Sequence, residues 1–147
     1  RQPLKVLVDS RLDVDPQARI FGDGEVLVVG ALDDAPRAAR LREVGAEVIA
    51  LPNGQGKVDL PALLKELARR GVNEVHGEAG FKLNGSLVRE GCVDELLVYL
   101  APMLIGDATG MLNLPALSDL AQAQRLLFRE VTQVGEDVRI LARWGLG

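Results

Sequence analysis

Residues 72–107, VNEVHGEAGFKLNGSLVREGCVDELLVYLAPMLIGD, constrain this chain more than any other stretch. Val72 and Val75 lead as a strand into Glu78-Ala79-Gly80. Residues 81–90 then carry Leu83, Leu87 and Val88 at helical spacing, and Gly91 stands where a left-handed cap ends a helix. Residues 93–102 follow as a strand rich in Leu and Val, expected to be buried. Strand, glycine turn, helix and strand make a βαβ unit. Open α/β sheets bind ligands beyond the carboxyl ends of their strands, and helix N-termini there favour phosphate. Glu78 and the turn after it therefore stand where chemistry is expected. The same carboxylate could instead be a structural acceptor for loop amides, and strand-end geometry alone leaves both roles open.

The flanking segments continue the alternation. Residues 5–9 read as a first strand, 18–21 as a short extended piece and 25–29 as a continuous apolar strand after the turn Phe21-Gly22-Asp23-Gly24. Asp33 and Asp34 offer an N-cap, Pro36 suits a first turn, and Ala38, Leu41 and Val44 form one helical face that Gly45 ends. Residues 47–51 make the next strand, stopped by Pro52-Asn53-Gly54. Asp59 caps an amphipathic helix with Leu60, Leu63, Leu64 and Leu67, closed by Gly71. Residues 115–123 predict a short helix through Leu117 and Leu120. Residues 124–134 and 137–144 alternate around Gly135-Glu136 as an antiparallel hairpin. The pattern predicts an α/β fold: a mostly parallel sheet flanked by helices, with a C-terminal antiparallel β-ribbon.

Composition narrows the function. With 147 residues the chain is one domain by length, and 48% hydrophobic against 26% charged residues is ordinary globular composition. A net charge of −4 argues against nonspecific binding to nucleic acid or anionic membranes, both of which reward a basic surface. Aromatics at 3% leave little for a stacking platform on single strands. Cys92 is the only cysteine, so no internal disulfide can form, and its place at the start of an apolar strand suits packing as a small hydrophobe. No apolar run reaches membrane-spanning length and no signal peptide is seen, so the cytoplasm is the expected location.

EAG, then L-x-G-S-L-V, then G-x-V-D-E-L-L-V-Y-x-A-P-x-L-I-G resembles the reductase domain of the bifunctional riboflavin-biosynthesis deaminase/reductase. Lys5-Val6-Leu7-Val8-Asp9-Ser10, Gly45-Ala46-Glu47-Val48 and residues 131–143 resemble further segments of that family, so the similarity runs over nearly the whole chain. Phe81 and Lys82 depart from it where many relatives carry Pro and a small polar residue, and Asn84 where a smaller residue is common. The resemblance implies a dihydrofolate-reductase-like fold and NADPH-dependent reduction of 5-amino-6-(5-phosphoribosylamino)uracil to its ribitylamino product. It implies substrate contact at Glu78, where a carboxylate can hold ribose hydroxyls or a cationic ring edge. It also implies that Gly80, Phe81, Leu83, Asn84, Gly85 and Ser86 line the cofactor, mainly through backbone, and that Ser10 is a further cofactor contact. Arg11 could meet a 2′-phosphate, although an exposed strand exit explains it slightly better. No residue is assigned the hydride-transfer chemistry itself, which belongs to the cofactor.

Two motifs do not carry chemistry. His76-Gly77-Glu78 mimics the H-x-E of zinc deaminases, but that site also needs a Cys-x-x-Cys pair, so no metal is expected. His76 reads instead as a packed or edge residue of a strand. Gly54-Gln55-Gly56-Lys57 lacks the Ser/Thr and the spacing of a P-loop. Residue 1 is not Met and strand pattern starts at Leu4, so the reductase domain is expected to be truncated at its N-terminus, with a deaminase domain upstream in the full-length chain. Residues 1–147 alone are then expected to show little or no turnover, and unpaired strands or apolar faces to favour a homodimer. Two other functions fit the residues: a non-catalytic nucleotide-binding or oligomerisation module, and a reductase of another pterin-like substrate.

Overall fold

The computed structural model describes residues 2–145, and the chain divides into two compact units, Arg1–Val75 and His76–Gly147. The first unit holds a three-stranded parallel sheet in the order β1 (Lys5–Val8), β2 (Val26–Gly30), β3 (Glu47–Ala50). Lys5 pairs with Val26 and Leu27 with Glu47. Every residue of β2 is buried, as an uninterrupted apolar run in the middle of a parallel sheet should be. Helix α1 (Ala35–Glu43) starts where the Asp34 carboxylate accepts the Arg37 amide at 3.0 Å, and Gly45 ends it at φ 87°. Ala38 and Leu41 carry its inner face into a core with Leu12, Val26, Val28, Ala46 and Val48.

Helix α2 (Leu60–Arg69) repeats the design. Asp59 accepts the Ala62 amide at 2.8 Å, Leu60, Leu63 and Leu67 are buried, and Gly71 at φ 84° closes the end. Arg70 ties this helix to the sheet, bonding Glu47 of β3 at 2.6 Å and Glu66 at 2.8 Å.

The second unit contains helix α3 (Phe81–Arg89) and a three-stranded antiparallel sheet, ordered β4 (Glu95–Leu100), β6 (Asp137–Trp144), β5 (Leu126–Val134). Partners across a ladder share a face. Val138, Ile140, Ala142 and Trp144 therefore lie on one side with Leu96, Val98 and Leu100 of β4 and Leu126, Phe128 and Val131 of β5. The opposite side carries the ion pairs Glu95–Arg143 and Glu130–Arg139. A bulge between Phe128 and Glu130 resets the register so that both faces keep their character past the extra residue.

The α/β class, the capped helices and the C-terminal ribbon match expectation, and several local readings are corrected. Residues 72–80 form no strand: after the Val72 amide bonds Leu67 the segment joins no ladder among the described residues. Valines favour extended backbone, but a strand exists only where a neighbour completes its hydrogen bonds. The expected βαβ unit is accordingly a helix followed by a strand that pairs antiparallel with β6. That strand, β4, is half-exposed instead of buried, with Leu97, Tyr99 and Leu100 open to solvent. Residues 19–21 wind into a single 3-10 turn where an extended piece was expected. The helix expected over residues 115–123 shrinks to a 3-10 turn at Leu120–Gln122, because Leu120 is 88% exposed and no packed face supports a longer helix.

Candidate functional site

The first turn of α3 is the best-formed candidate. Gly80 is its N-cap, and no side chain caps the helix there. The amides of the first turn therefore have no partner within the helix, and the backbone dipoles leave positive potential at that end. Gly80 sits at φ −83°, ψ 172°, ordinary extended backbone, and a Cβ built on it would meet nothing within 4 Å. Its own chain does not demand glycine at this position. What glycine leaves is open approach to the amides behind it, which is what an anionic group such as a diphosphate requires.

The other residues of the turn bond and pack locally. Asn84 donates its side-chain amide to the Ala79 carbonyl at 2.9 Å, bracing the chain that leads into the helix, while its backbone amide bonds the Gly80 carbonyl at 3.0 Å. Gly85 is buried, and a Cβ there would lie 2.7 Å from the Asn113 backbone nitrogen, closer still to the Asn113 carbonyl oxygen. Glycine at position 85 is thus needed for residues 111–114 to lie against the helix. The Asn113 amide donates to the Phe81 carbonyl at 3.1 Å, and Arg89 donates to the Asn113 carbonyl and, at 2.9 Å, to Ser86 Oγ. Phe81, Leu83 and Ser86 are half-buried and Lys82 is exposed. The clamp on residues 111–114 was not foreseen. Glycine at an inner helical position was the available signal, since it weakens a helix unless something packs against it.

Glu78 is an exposed carboxylate on the segment leading to this helix, 3.5 Å from His76 Nε2. Among the described residues its carboxylate is paired with His76 alone. His76 is corrected: the ring is 66% exposed instead of packed, and it belongs to no strand. Among the described residues no cluster of His, Cys, Asp and Glu is arranged to hold a metal ion.

Ser10 lies in the first unit, two residues past the end of β1, at the carboxyl end of the parallel sheet. Its carbonyl accepts the Ala31 amide at 3.0 Å, and it is half-buried. Arg11 beside it is 74% exposed and pairs with Asp13 at 2.7 Å, in keeping with a solvated strand exit. A shallow cavity of about 460 Å³ lined by Gln2, Leu4, Glu25, Arg70 and Val72 opens at the opposite, amino end of the same strands. Ligands of open α/β sheets bind at the carboxyl end, so this cavity is not the candidate.

The parallel sheet of the first unit and the helix and antiparallel sheet of the second make an α/β chain, and solved structures share its fold. Over 95% of its length the chain matches the fold of Acinetobacter baumannii RibD, with a TM-score of 0.78 and 26% identity, covering 37% of that chain. The RibD C-terminal domain family model matches residues 1–140, and the chain belongs to that family. It is 37% identical over 143 residues to the riboflavin biosynthesis protein RibD of Escherichia coli (strain K12), covering 94% of this chain and 37% of the relative. It is 35% identical over 140 residues to the 2,5-diamino-6-ribosylamino-4(3H)-pyrimidinone 5′-phosphate reductase of Methanothermobacter thermautotrophicus, covering 92% of this chain and 63% of that protein. The chain thus spans between about one third and two thirds of the length of these relatives.

Proposed function

We propose that this chain serves the reductase step of riboflavin biosynthesis, reducing 5-amino-6-(5-phosphoribosylamino)uracil to its ribitylamino product at the expense of NADPH. The observation that carries the reading is the family match across residues 1–140. NADPH, when bound, supplies a hydride from its nicotinamide C4 to C1′ of the ribosyl group, opening the sugar to a ribityl chain. The protein's part is to bind, orient and exclude water. The open amides at the start of α3 fit a diphosphate, with Gly80, Phe81, Leu83, Asn84 and Ser86 forming the cofactor wall and Gly85, buried against Asn113, supporting it from behind. Ser10 is a second cofactor contact. Glu78, exposed and acceptor-only when ionised, suits the ribosyl hydroxyls of the substrate.

Gly80→Val in the full-length enzyme tests the anion site. The space around Gly80 is open, so folding should survive, while a branched side chain over the first-turn amides should raise the NADPH dissociation constant at least tenfold, or about 1.4 kcal/mol. A protein that loses folding yet keeps its cofactor affinity in the surviving fraction would reduce Gly80 to a packing residue. NADPH oxidation that depends on the uracil substrate tests the reaction itself, and preference for a folate- or pterin-like compound would replace the substrate named here.

The reading extends to assembly and location. Leu100, Phe128 and Val131 are exposed on one face of the antiparallel sheet, and an apolar face of this kind supports a homodimer built on residues 95–100 and 124–144. A monomer mass in sedimentation at micromolar concentration would exclude it. No helix among the described residues is long and apolar enough to cross a membrane, and a single cysteine suits a reducing compartment, which supports a cytoplasmic site of action. An H-x-E and P-C-x-x-C pair encoded upstream of residue 1 would identify the bifunctional form, with its deaminase domain, over a stand-alone reductase.

A further inference from the structure

The turn that follows β1 is held from three directions. The Asp9 carboxylate accepts the backbone amides of Arg11 at 3.1 Å and Val14 at 2.8 Å, and the Asp9 carbonyl accepts the Leu12 amide at 3.1 Å. Leu12 then adopts φ 55°, the left-handed region that a branched residue avoids, and is the sole non-glycine residue to do so among those described. Its side chain is 1% exposed and packs into the core of the first unit. The third hold comes from α1, where Arg37 donates to the Arg11 carbonyl at 2.7 Å and to Asp13 at 2.6 Å.

Leu12 sits over Gly30 so closely that a Cβ on Gly30 would lie 2.9 Å from a leucine methyl. Glycine at the end of β2 is therefore what lets this plug seat. A backbone conformation of this kind persists only where its surroundings over-determine it, and such sites are a reason to look for function. Between the carboxylate hold and the plug stands Ser10. Its carbonyl is fixed by Ala31, while its hydroxyl makes no hydrogen bond among the described residues.

We propose that Asp9, with Leu12 seated on Gly30, is a positioning device that pre-sets the Ser10 hydroxyl for the cofactor. The proposal rests on the reading that Ser10 contacts NADPH. Asp9 acts only through Ser10. Its two accepted amides fix the path of the chain on the far side of Ser10, just as the Asp9 amide, bonded to the Val29 carbonyl at 3.0 Å, fixes the near side. Pre-organisation of this sort matters because small displacements of a contact cost affinity steeply.

A double-mutant cycle in the full-length enzyme separates positioning from simple stability, with NADPH binding followed by cofactor fluorescence. Ser10→Ala and Asp9→Ala should each weaken NADPH about tenfold, and the double variant should be little weaker than either alone, because both remove the same contact. Asp9→Asn, which keeps one acceptor oxygen, should recover part of the affinity, and it serves if Asp9→Ala folds poorly. Gly30→Ala, whose methyl would force the Leu12 side chain to shift, should follow Asp9→Ala in the same assay. Ser10→Ala with unchanged affinity would overturn the Ser10 contact and the device with it. A weakened Ser10→Ala beside intact binding in Asp9→Ala would overturn the device alone. Multiplying losses in the double variant would mean that Asp9 acts on the cofactor independently of Ser10.

Discussion

Up to Val75 the apolar side chains turn inward, and after it most turn out. Among the described residues the buried apolar side chains other than Val88 and Ala142 belong to the first unit, where Leu32, Val44 and Val75 are the exposed large ones. In the second unit Leu100, Met103, Leu104, Ile105, Leu120 and Phe128 are each more than 60% exposed. The contrast follows from how the strands are written. β2 is apolar at every position, and each α-helix of its unit brings an apolar stripe to bury. β4, β5 and β6 carry exposed apolar side chains on both faces, Leu100, Phe128 and Val131 on one and Leu97 and Leu127 beside the ion pairs on the other, and a sheet of that kind requires a covering layer. The first unit thus buries most of its large apolar side chains, whereas the second presents surface that association can bury.

The largest expected effect tests that contrast directly. Leu41→Ala, at a site 1% exposed, should cost about 2–5 kcal/mol in denaturant unfolding through the cavity it leaves, whereas Leu104→Ala, at a fully exposed site, should stay within about 0.5 kcal/mol. Similar losses for both would show that the second unit's surface is buried in solution, and would break the comparison.

Gly85→Ala comes next and sharpens it, because it addresses the tightest packing in the second unit. The methyl has no room beside Asn113, so a loss of about 1–3 kcal/mol is expected, with faster amide exchange in residues 111–114 and an undisturbed first unit.

Acid should act on the first unit in a defined direction. Hydrogen bonds from Arg69 and then Arg70 push Glu66 from an ordinary value of 4.5 down to about 2. A carboxyl depressed on folding stabilises above its unfolded value, and that contribution is lost as pH falls from 4.5 towards about 2. The melting temperature of Glu66→Gln should therefore lie below that of the parent at neutral pH, and the two should converge near pH 2. A gap that persists at the acid end would assign the effect to the packing of Glu66. The smallest effect belongs to the second unit, where Thr132 and then Arg139 hold Glu130 below the usual carboxylate range on an open face. Glu130→Gln should change stability so little that moderate salt erases the difference, as screening of an exposed pair requires.

Much of the candidate site could be read in advance because it is local. Gly80 before a helical pattern announces a helix start, and Asp9-Ser10 after an apolar run announces a strand exit, from neighbours a few residues away. Glu78 was placed on the end of a strand that has no ladder, because alternating valines report a preference and not a partner. Exposure of His76 went unread for the same reason.

The chain's own order of residues determined what depends on the nearest turn. Asp34 and Asp59 cap their helices, Gly45, Gly71 and Gly91 end theirs in left-handed backbone, and Gly135 turns the hairpin. Each of these needs a side chain and an amide or carbonyl within about four residues, so the local sequence is sufficient. Only the tertiary structure decided the close approach of Gly85 to Asn113 and the seating of Leu12 on Gly30. It also decided that Arg37 would grip the turn beyond β1 and that residues 72–80 would pair with nothing described. In each of these the partner comes from a distant part of the chain, and the outcome depends on whether packing brings it within contact distance, which no local preference records.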